Sequence, residues 1–139
     1  MGIKFHRLNR SWNAEPNAPN EKIYIDQSSL FLEFNVNPWE YSGFAENERV
    51  TLKFISCSNY RLGPTNDEGW YLGQCRYGKA APKWGEFYQI CGAALDVANS
   101  NGWIKINYAR MKRHYLFYLK DNTFECYADS YEFLRSANS

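Results

Sequence analysis

The side chains with the most reactive chemistry to offer in this sequence are two histidines, His6 and His114, and four cysteines, Cys57, Cys75, Cys91 and Cys126. A cysteine nucleophile needs a base within hydrogen-bond reach. His6 belongs to the N-terminal arm, which leaves His114 as the candidate base, with Asp129 as the carboxylate that would orient it. Zinc and redox dithiol sites need clustered ligands, and these cysteines stand apart with no C-x-x-C pair. They are expected to be free thiols, and neither a metal nor a cofactor is expected. Gly63, Gly69, Gly73, Gly78 and Gly85 sit among strand-like residues and match no phosphate-binding spacing. Glu33, Glu40, Asp67, Glu68 and Glu86 are the material from which a pair of carboxylates for sugar hydrolysis would be drawn. A linear sequence sets no distance between them, and solvated surface is the plainer expectation.

Aromatic residues are the stronger signal. The chain carries eleven Tyr, nine Phe and five Trp, 18% of its 139 residues. Trp39, Tyr41 and Phe44 crowd into one loop, Pro38 to Phe44. Trp70, Tyr71, Trp84 and Tyr88 follow, with Arg61, Arg76, Lys79 and Lys83 interleaved. Tyr and Trp offer large contact area at small entropic cost and carry a polar tip, so they anchor protein interfaces and also stack on sugar rings. The candidate binding residues are therefore Trp39, Tyr41, Phe44, Trp70, Arg76 and Trp84. The competing expectation is that a small β domain tucks these rings under its own loops.

These candidates must be positioned by strands, because β-branched and aromatic residues pack well on a half-buried pleated surface. Residues 1–21 predict an extended arm and loop, since two prolines and three asparagines between Asn13 and Asn20 break regular structure. From Lys22 the pattern has period two and predicts one strand running through Val36, with Leu30, Leu32, Phe34 and Val36 on its buried side. Pro38 ends it. A second alternation from Arg49, with Val50, Leu52 and Phe54 inward, is expected to pair with the first. Trp70–Tyr77, Trp84–Cys91 and Trp103–Tyr108 are strand-like, and Ala93–Ala98 has the spacing of a short helix ended by Asn101-Gly102. Arg110 to Arg113 makes a basic connection, expected to serve solubility.

The last element, His114 to Asp129, predicts a β-hairpin turning at Asp121-Asn122. That turn pairs Leu119 with Phe124, Phe117 with Cys126 and Tyr115 with Ala128 on a core face. It leaves Tyr118 with Glu125, Leu116 with Tyr127 and His114 with Asp129 on an amphipathic outer face. Cys126 and His114 then point to opposite sides and cannot form a dyad. This hairpin resembles the closing hairpin of small bacterial β proteins, among them immunity proteins of toxin systems. The resemblance implies a cytoplasmic protein that works by binding another protein, although nuclease inhibitors of that kind are often strongly acidic.

The chain departs from that acidity: sixteen Lys and Arg against fifteen Asp and Glu give a net charge of +1. A nucleic-acid partner is not expected without a basic excess to displace phosphate counterions. No stretch approaches the ~18 apolar residues of a membrane span, and the first ten residues lack a secretory apolar run. A cytoplasmic single domain, residues 1–139 with a β core over 22–139, is therefore expected. Its fold class is mainly β, an antiparallel sandwich or partly open barrel of roughly seven or eight strands with one short helix. The expected function is non-catalytic binding of another protein. A sugar or small-ligand binder is the second expectation, and a hydrolase using His114 the third.

Overall fold

The computed structural model describes residues 4–63, 85–91, 104–107, 112–119 and 122–135. Within them the chain is all β. Ten strands run in the order β1 (Lys4–Arg7), β2 (Lys22–Asp26), β3 (Ser29–Asn35), β4 (Arg49–Ile55), β5 (Asn59–Gly63), β6 (Phe87–Cys91), β7 (Ile104–Lys105), β8 (Arg113–Tyr118), β9 (Thr123–Ala128) and β10 (Ser130–Arg135). They form two open antiparallel sheets, one ordered β1-β6-β8-β9-β5-β7 and the other β10-β4-β3-β2. The expected strands over 70–77 and helix over 93–98 lie outside the described residues.

The four-stranded sheet follows from the alternation of its sequence. Leu30, Leu32 and Phe34 of β3 stand opposite Phe54, Leu52 and Val50 of β4, and all six are at most 1% exposed. Tyr131 and Phe133 of β10 extend the same face. The single strand expected over 22–36 is in fact a hairpin, β2 and β3, with Asp26 paired to Ser29. Gln27 takes a φ of +58° at the turn, a left-handed conformation uncommon for a non-glycine residue. Because the turn is so short, the alternation runs through it almost unbroken and hides it.

Phe87, Tyr115, Phe117, Phe124, Cys126 and Ala128 line the inner face of the six-stranded sheet and close the core against Leu30, Leu32, Phe34, Val50, Leu52 and Phe54. The chain crosses between sheets at Asp129, whose N–H donates to the Ile55 carbonyl at 2.9 Å. Fully burying each such Phe or Leu is worth roughly 1.5–3 kcal/mol.

Residues 4–21 differ from the expected arm. β1 pairs with β6, and Trp12 inserts between the sheets, with Phe133 stacked on it at 4.6 Å and Phe34, Phe87 and Phe117 around it. Ala14 bridges Val36 and is 2% exposed. Proline and asparagine do break regular structure here, but irregular backbone can still deliver one large apolar ring to the core.

The β8–β9 hairpin keeps its predicted division into two faces and changes its pairing. Phe117 faces Phe124, Tyr115 faces Cys126 and His114 faces Tyr127, so the partner strand slides by two residues. The Leu119 N–H donates to the Asn122 carbonyl at 2.8 Å, so Asn122, expected inside the turn, lies opposite Leu119. A two-residue slide preserves which side chains point inward, so hydrophobic pattern alone does not distinguish the two registers. The outer face is also corrected from amphipathic surface to interior: His114, Leu116, Tyr118, Glu125 and Tyr127 are all at most 4% exposed.

Candidate functional site

Three chain segments meet at one end of the sandwich. They are the stretch after β1 that carries Asn9 and Asn13, the loop after β3 that carries Asn37, Trp39, Glu40 and Tyr41, and Gly85-Glu86 ahead of β6. Backbone hydrogen bonds fix them together: Leu8 N–H to the Phe87 carbonyl at 2.8 Å, Asn37 N–H to the Asn13 carbonyl at 2.9 Å, and Gly85 N–H to the Tyr118 carbonyl at 2.9 Å. Gly85 has a φ of +84°, in the left-handed region that favours glycine, and this turns Glu86 inward at the strand entrance.

Glu86 is buried, and its carboxylate is held from both sides. Asn9 donates to Oε1 at 2.7 Å and Asn13 donates to Oε2 at 3.0 Å. The same Asn13 amide nitrogen donates to Oε1 of Glu40 at 2.8 Å. One neutral amide therefore stands between two carboxylates. Arg7 supplies the nearby positive charge, with its guanidinium 3.7 Å from Glu86, a charge contact rather than a close hydrogen bond. A cavity of about 370 Å³ opens here, lined by Arg7, Asn13, Pro16, Asn37, Glu40 and Glu86 among others. Burial raises the Tyr41 phenol above its usual pKa, and the Glu40 and Glu86 carboxylates raise it further against the pull of Arg7. Tyr41 is thus a neutral hydroxyl at the edge of an acceptor-rich hollow.

The aromatic loop is braced at its far end. Arg135 forms a two-pronged pair with Glu48, at 2.9 and 3.0 Å, and donates to the Gly43 carbonyl at 3.2 Å. Its guanidinium also lies 4.4 Å from the Phe44 ring centre. The Ala45 N–H and then Arg135 hold the Glu48 carboxyl below its usual pKa. Asn37 caps the loop's start by accepting from the Trp39 N–H at 3.0 Å. With both ends tied, Trp39 stands 68% exposed.

Of the residues singled out in the sequence, Trp39, Tyr41 and Phe44 share this loop but not one role. Trp39 is exposed, Tyr41 is half-buried beside the carboxylates, and Phe44 packs against the core beneath Arg135. Trp70, Arg76 and Trp84 lie outside the described residues. The expected His114–Asp129 pair is not formed. His114 Nε2 lies 2.9 Å from Glu125 Oε2 and its ring stacks on Tyr127 at 4.7 Å, whereas Asp129 pairs with Lys112 at 3.2 Å. The two-residue slide separates them, and His114 is buried, 4% exposed. Cys57 and Cys126 are buried thiols and Cys91 is exposed.

Glu40 and Glu86 are two of the five carboxylates named from sequence, and the fold brings them together. Of the asparagines that organise them, Asn13 falls in the stretch read as a structure-breaking loop and Asn9 drew no reading; the available signal was their placement on either side of Trp12, a residue that must be buried. Among the described residues no group of three or more His, Cys, Asp and Glu side chains gathers to hold a metal, and no helix is long and apolar enough to cross a membrane. Comparison with protein-family models, with curated proteins and with solved structures gives no match, so the functional reading rests on this geometry.

Proposed function

We propose that this protein is a non-catalytic binding module that docks another protein through the loop spanning residues 38–44, with Trp39 as the anchor. The observation that carries the proposal is the exposure of Trp39 on a loop whose two ends are fixed, at Asn37 and at Arg135. An exposed indole on a pre-ordered loop loses little entropy on binding, and Trp is among the residues most enriched at interface hot spots. Trp39→Ala, in a protein checked to be folded, is expected to abolish retention of a partner from lysate of the source organism that the intact protein retains. Crosslinks from that partner should map to residues 38–44. Retention that survives the substitution would refute the assignment of the anchor.

The cavity lined by Asn37 and Glu40, from the same loop as Trp39, favours a second reading, a sugar or other small polar ligand. Its volume falls within the range of small-molecule sites, and a Trp face is a platform for a sugar ring. Hydrolysis is disfavoured because Asn13 stands between the two carboxylates, where a scissile bond would have to sit. A glycan array probed with the intact protein and with Trp39→Ala separates this reading from the first.

A further inference from the structure

We propose that β2 is a self-association edge, which pairs antiparallel with β2 of a second copy of this chain across a two-fold axis at Tyr24 and joins two four-stranded sheets into one. The surface is separate from the Trp39 loop and does not depend on what that loop binds.

β2 ends its sheet and pairs only with β3 among the described strands. Ile23 is half-buried and the other residues of the strand are exposed, Tyr24 by 51% and Ile25 by 43%. The strand carries no proline and no bulge against β3, devices that commonly blunt such an edge. Asp26 and Ser29 flank a two-residue turn and so exchange hydrogen bonds, as do Tyr24 with Phe31 and Lys22 with Glu33 at alternate positions. The N–H and C=O groups of Ile23 and Ile25 therefore point away from the sheet, a template for another strand.

The order of residues along the edge selects the strand that fits it. β2 reads Lys22-Ile23-Tyr24-Ile25-Asp26. Turned antiparallel on a copy of itself about Tyr24, it sets Lys22 opposite Asp26 at both ends and Ile23 opposite Ile25 between them. Lys22 and Asp26 have no ion pair among the described residues, and Glu33, across from Lys22, pairs with Arg49 at 3.1 Å. In this register the outward groups of Ile23 and Ile25 face each other and exchange hydrogen bonds. A slide of two residues, the smallest that keeps outward groups opposed, sets Tyr24 against a charged residue and removes both ion pairs.

Both faces of the strand agree with that register. On the outer face Tyr24 stacks on Phe31 at 4.8 Å, with the Lys53 ammonium 5.7 Å from the Phe31 ring centre, and two such stacks meet at the axis. On the inner face the exposed Ile25 gains Ile23 of the second copy, which already packs against the core. The other sheet edges lack this complementarity: β1 has no carboxylate to answer Arg7, Arg135 of β10 is held by Glu48, and β7 has two residues. One five-residue strand buries little area, so dissociation is expected on the order of 10–100 µM.

Sedimentation of the intact protein between about 1 µM and about 1 mM should show monomer passing to dimer. Over the same range hydrogen exchange should slow at the Ile23 and Ile25 amides and stay constant at Tyr24 and Asp26, which are already bonded to β3. Lys22→Asp and Asp26→Lys each set like charges opposite one another at both ends, and each is expected to weaken association by about tenfold or more. Mixing the two variants restores opposite charges at both ends, and the mixture should associate about as tightly as the unmodified protein. Where Lys22→Asp, which sets a carboxylate opposite Glu33, fails to fold, Asp26→Lys and the exchange of the unmodified protein decide the matter. A protein that stays monomeric throughout, a dimer whose slowed amides lie elsewhere, association undiminished in a folded variant, or a mixture of folded variants that does not recover it would each overturn the proposal. Protection of Ile23 and Ile25 that appears only when a different protein is added would overturn it too, and would give the edge to a strand of that partner.

Discussion

Asn9 and Glu86, 77 residues apart in the chain, are joined by a 2.7 Å hydrogen bond in the interior. The same asparagine donates to the Trp12 carbonyl at 2.7 Å and accepts from the Phe87 N–H at 3.1 Å. It therefore satisfies two backbone groups and a carboxylate at once, and it fixes the stretch after β1 against the entrance to β6. Asn9→Ala would leave all three without that partner. The expected loss is about 2–4 kcal/mol of unfolding free energy, read as a lower urea midpoint with an unchanged slope. Asn9→Asp should cost at least as much, because it sets a second carboxylate against Glu86. A loss under about 0.5 kcal/mol for Asn9→Ala would mean that water replaces the asparagine and that the site is looser than its geometry implies.

Trp12 and Trp39 make a paired test of core against surface. Trp12 is 6% exposed and touches four aromatic rings from both sheets, while Trp39 is 68% exposed. Trp12→Ala is expected to cost about 3–5 kcal/mol through the cavity it opens, and Trp39→Ala less than about 0.5 kcal/mol. Thermal melts of the two variants check this directly. Comparable destabilisation by both would place Trp39 in the packing and remove it as an anchor.

The contrast between those two tryptophans also explains what the sequence could reveal. Period-two alternation at Leu30–Phe34 and Val50–Phe54 located the sheet, its inner face and the pairing of β3 with β4, because side-chain direction in a strand is fixed by parity. Parity also divided β8 and β9 into their two faces, although it did not show that the outer one is buried, and for the same reason it was blind to a two-residue slide that separates His114 from Asp129. Short turns escaped notice where the alternation continued across them, as at Gln27-Ser28. Trp12 and the asparagines beside it were illegible because irregular backbone has no period. What brings Glu40 to Glu86 is a set of contacts among segments 7–13, 37–41 and 85–87, and no local pattern encodes distances between them.

His114 and Glu125 lie diagonally across β8 and β9, each 3% exposed in its side chain, with His114 Nε2 2.9 Å from Glu125 Oε2. Removing one partner of such a pair leaves the other polar group buried with less to offset its lost hydration. Glu125→Ala is expected to destabilise the protein by about 3–5 kcal/mol. Asp129→Asn breaks only an exposed pair with Lys112 and should cost no more than about 1 kcal/mol. Chemical denaturation of both variants distinguishes a structural histidine from the catalytic one that the sequence left open: Asp129 should matter little, and Glu125 a great deal.

Alkaline pH should expose the tyrosine–thiol cluster of the core. Burial pushes the Tyr115 phenol up to about 12, with the nearby Cys126 adding to the shift, and burial together with Cys57 holds the Cys126 thiol well above its ordinary value. In both groups the folded protein keeps its proton to higher pH than the unfolded chain does. Stability from them is therefore complete below the unfolded pKa and declines as pH rises through the window up to the folded value. For the thiol that window opens near about 8.5, and for the phenol near about 10. Urea midpoints should accordingly hold from neutrality to about pH 8.5, fall gently, and then fall more steeply above about pH 10, where the phenol alone contributes a loss on the order of 2 kcal/mol approaching pH 12. Cys126→Ala lowers the midpoint at every pH by opening space beside Tyr115, but it also deletes the first titration. In that variant the decline should begin near about pH 10 rather than 8.5. Parallel curves for the two proteins would show that the thiol does not titrate on unfolding in this range and that the phenol alone carries the alkaline loss.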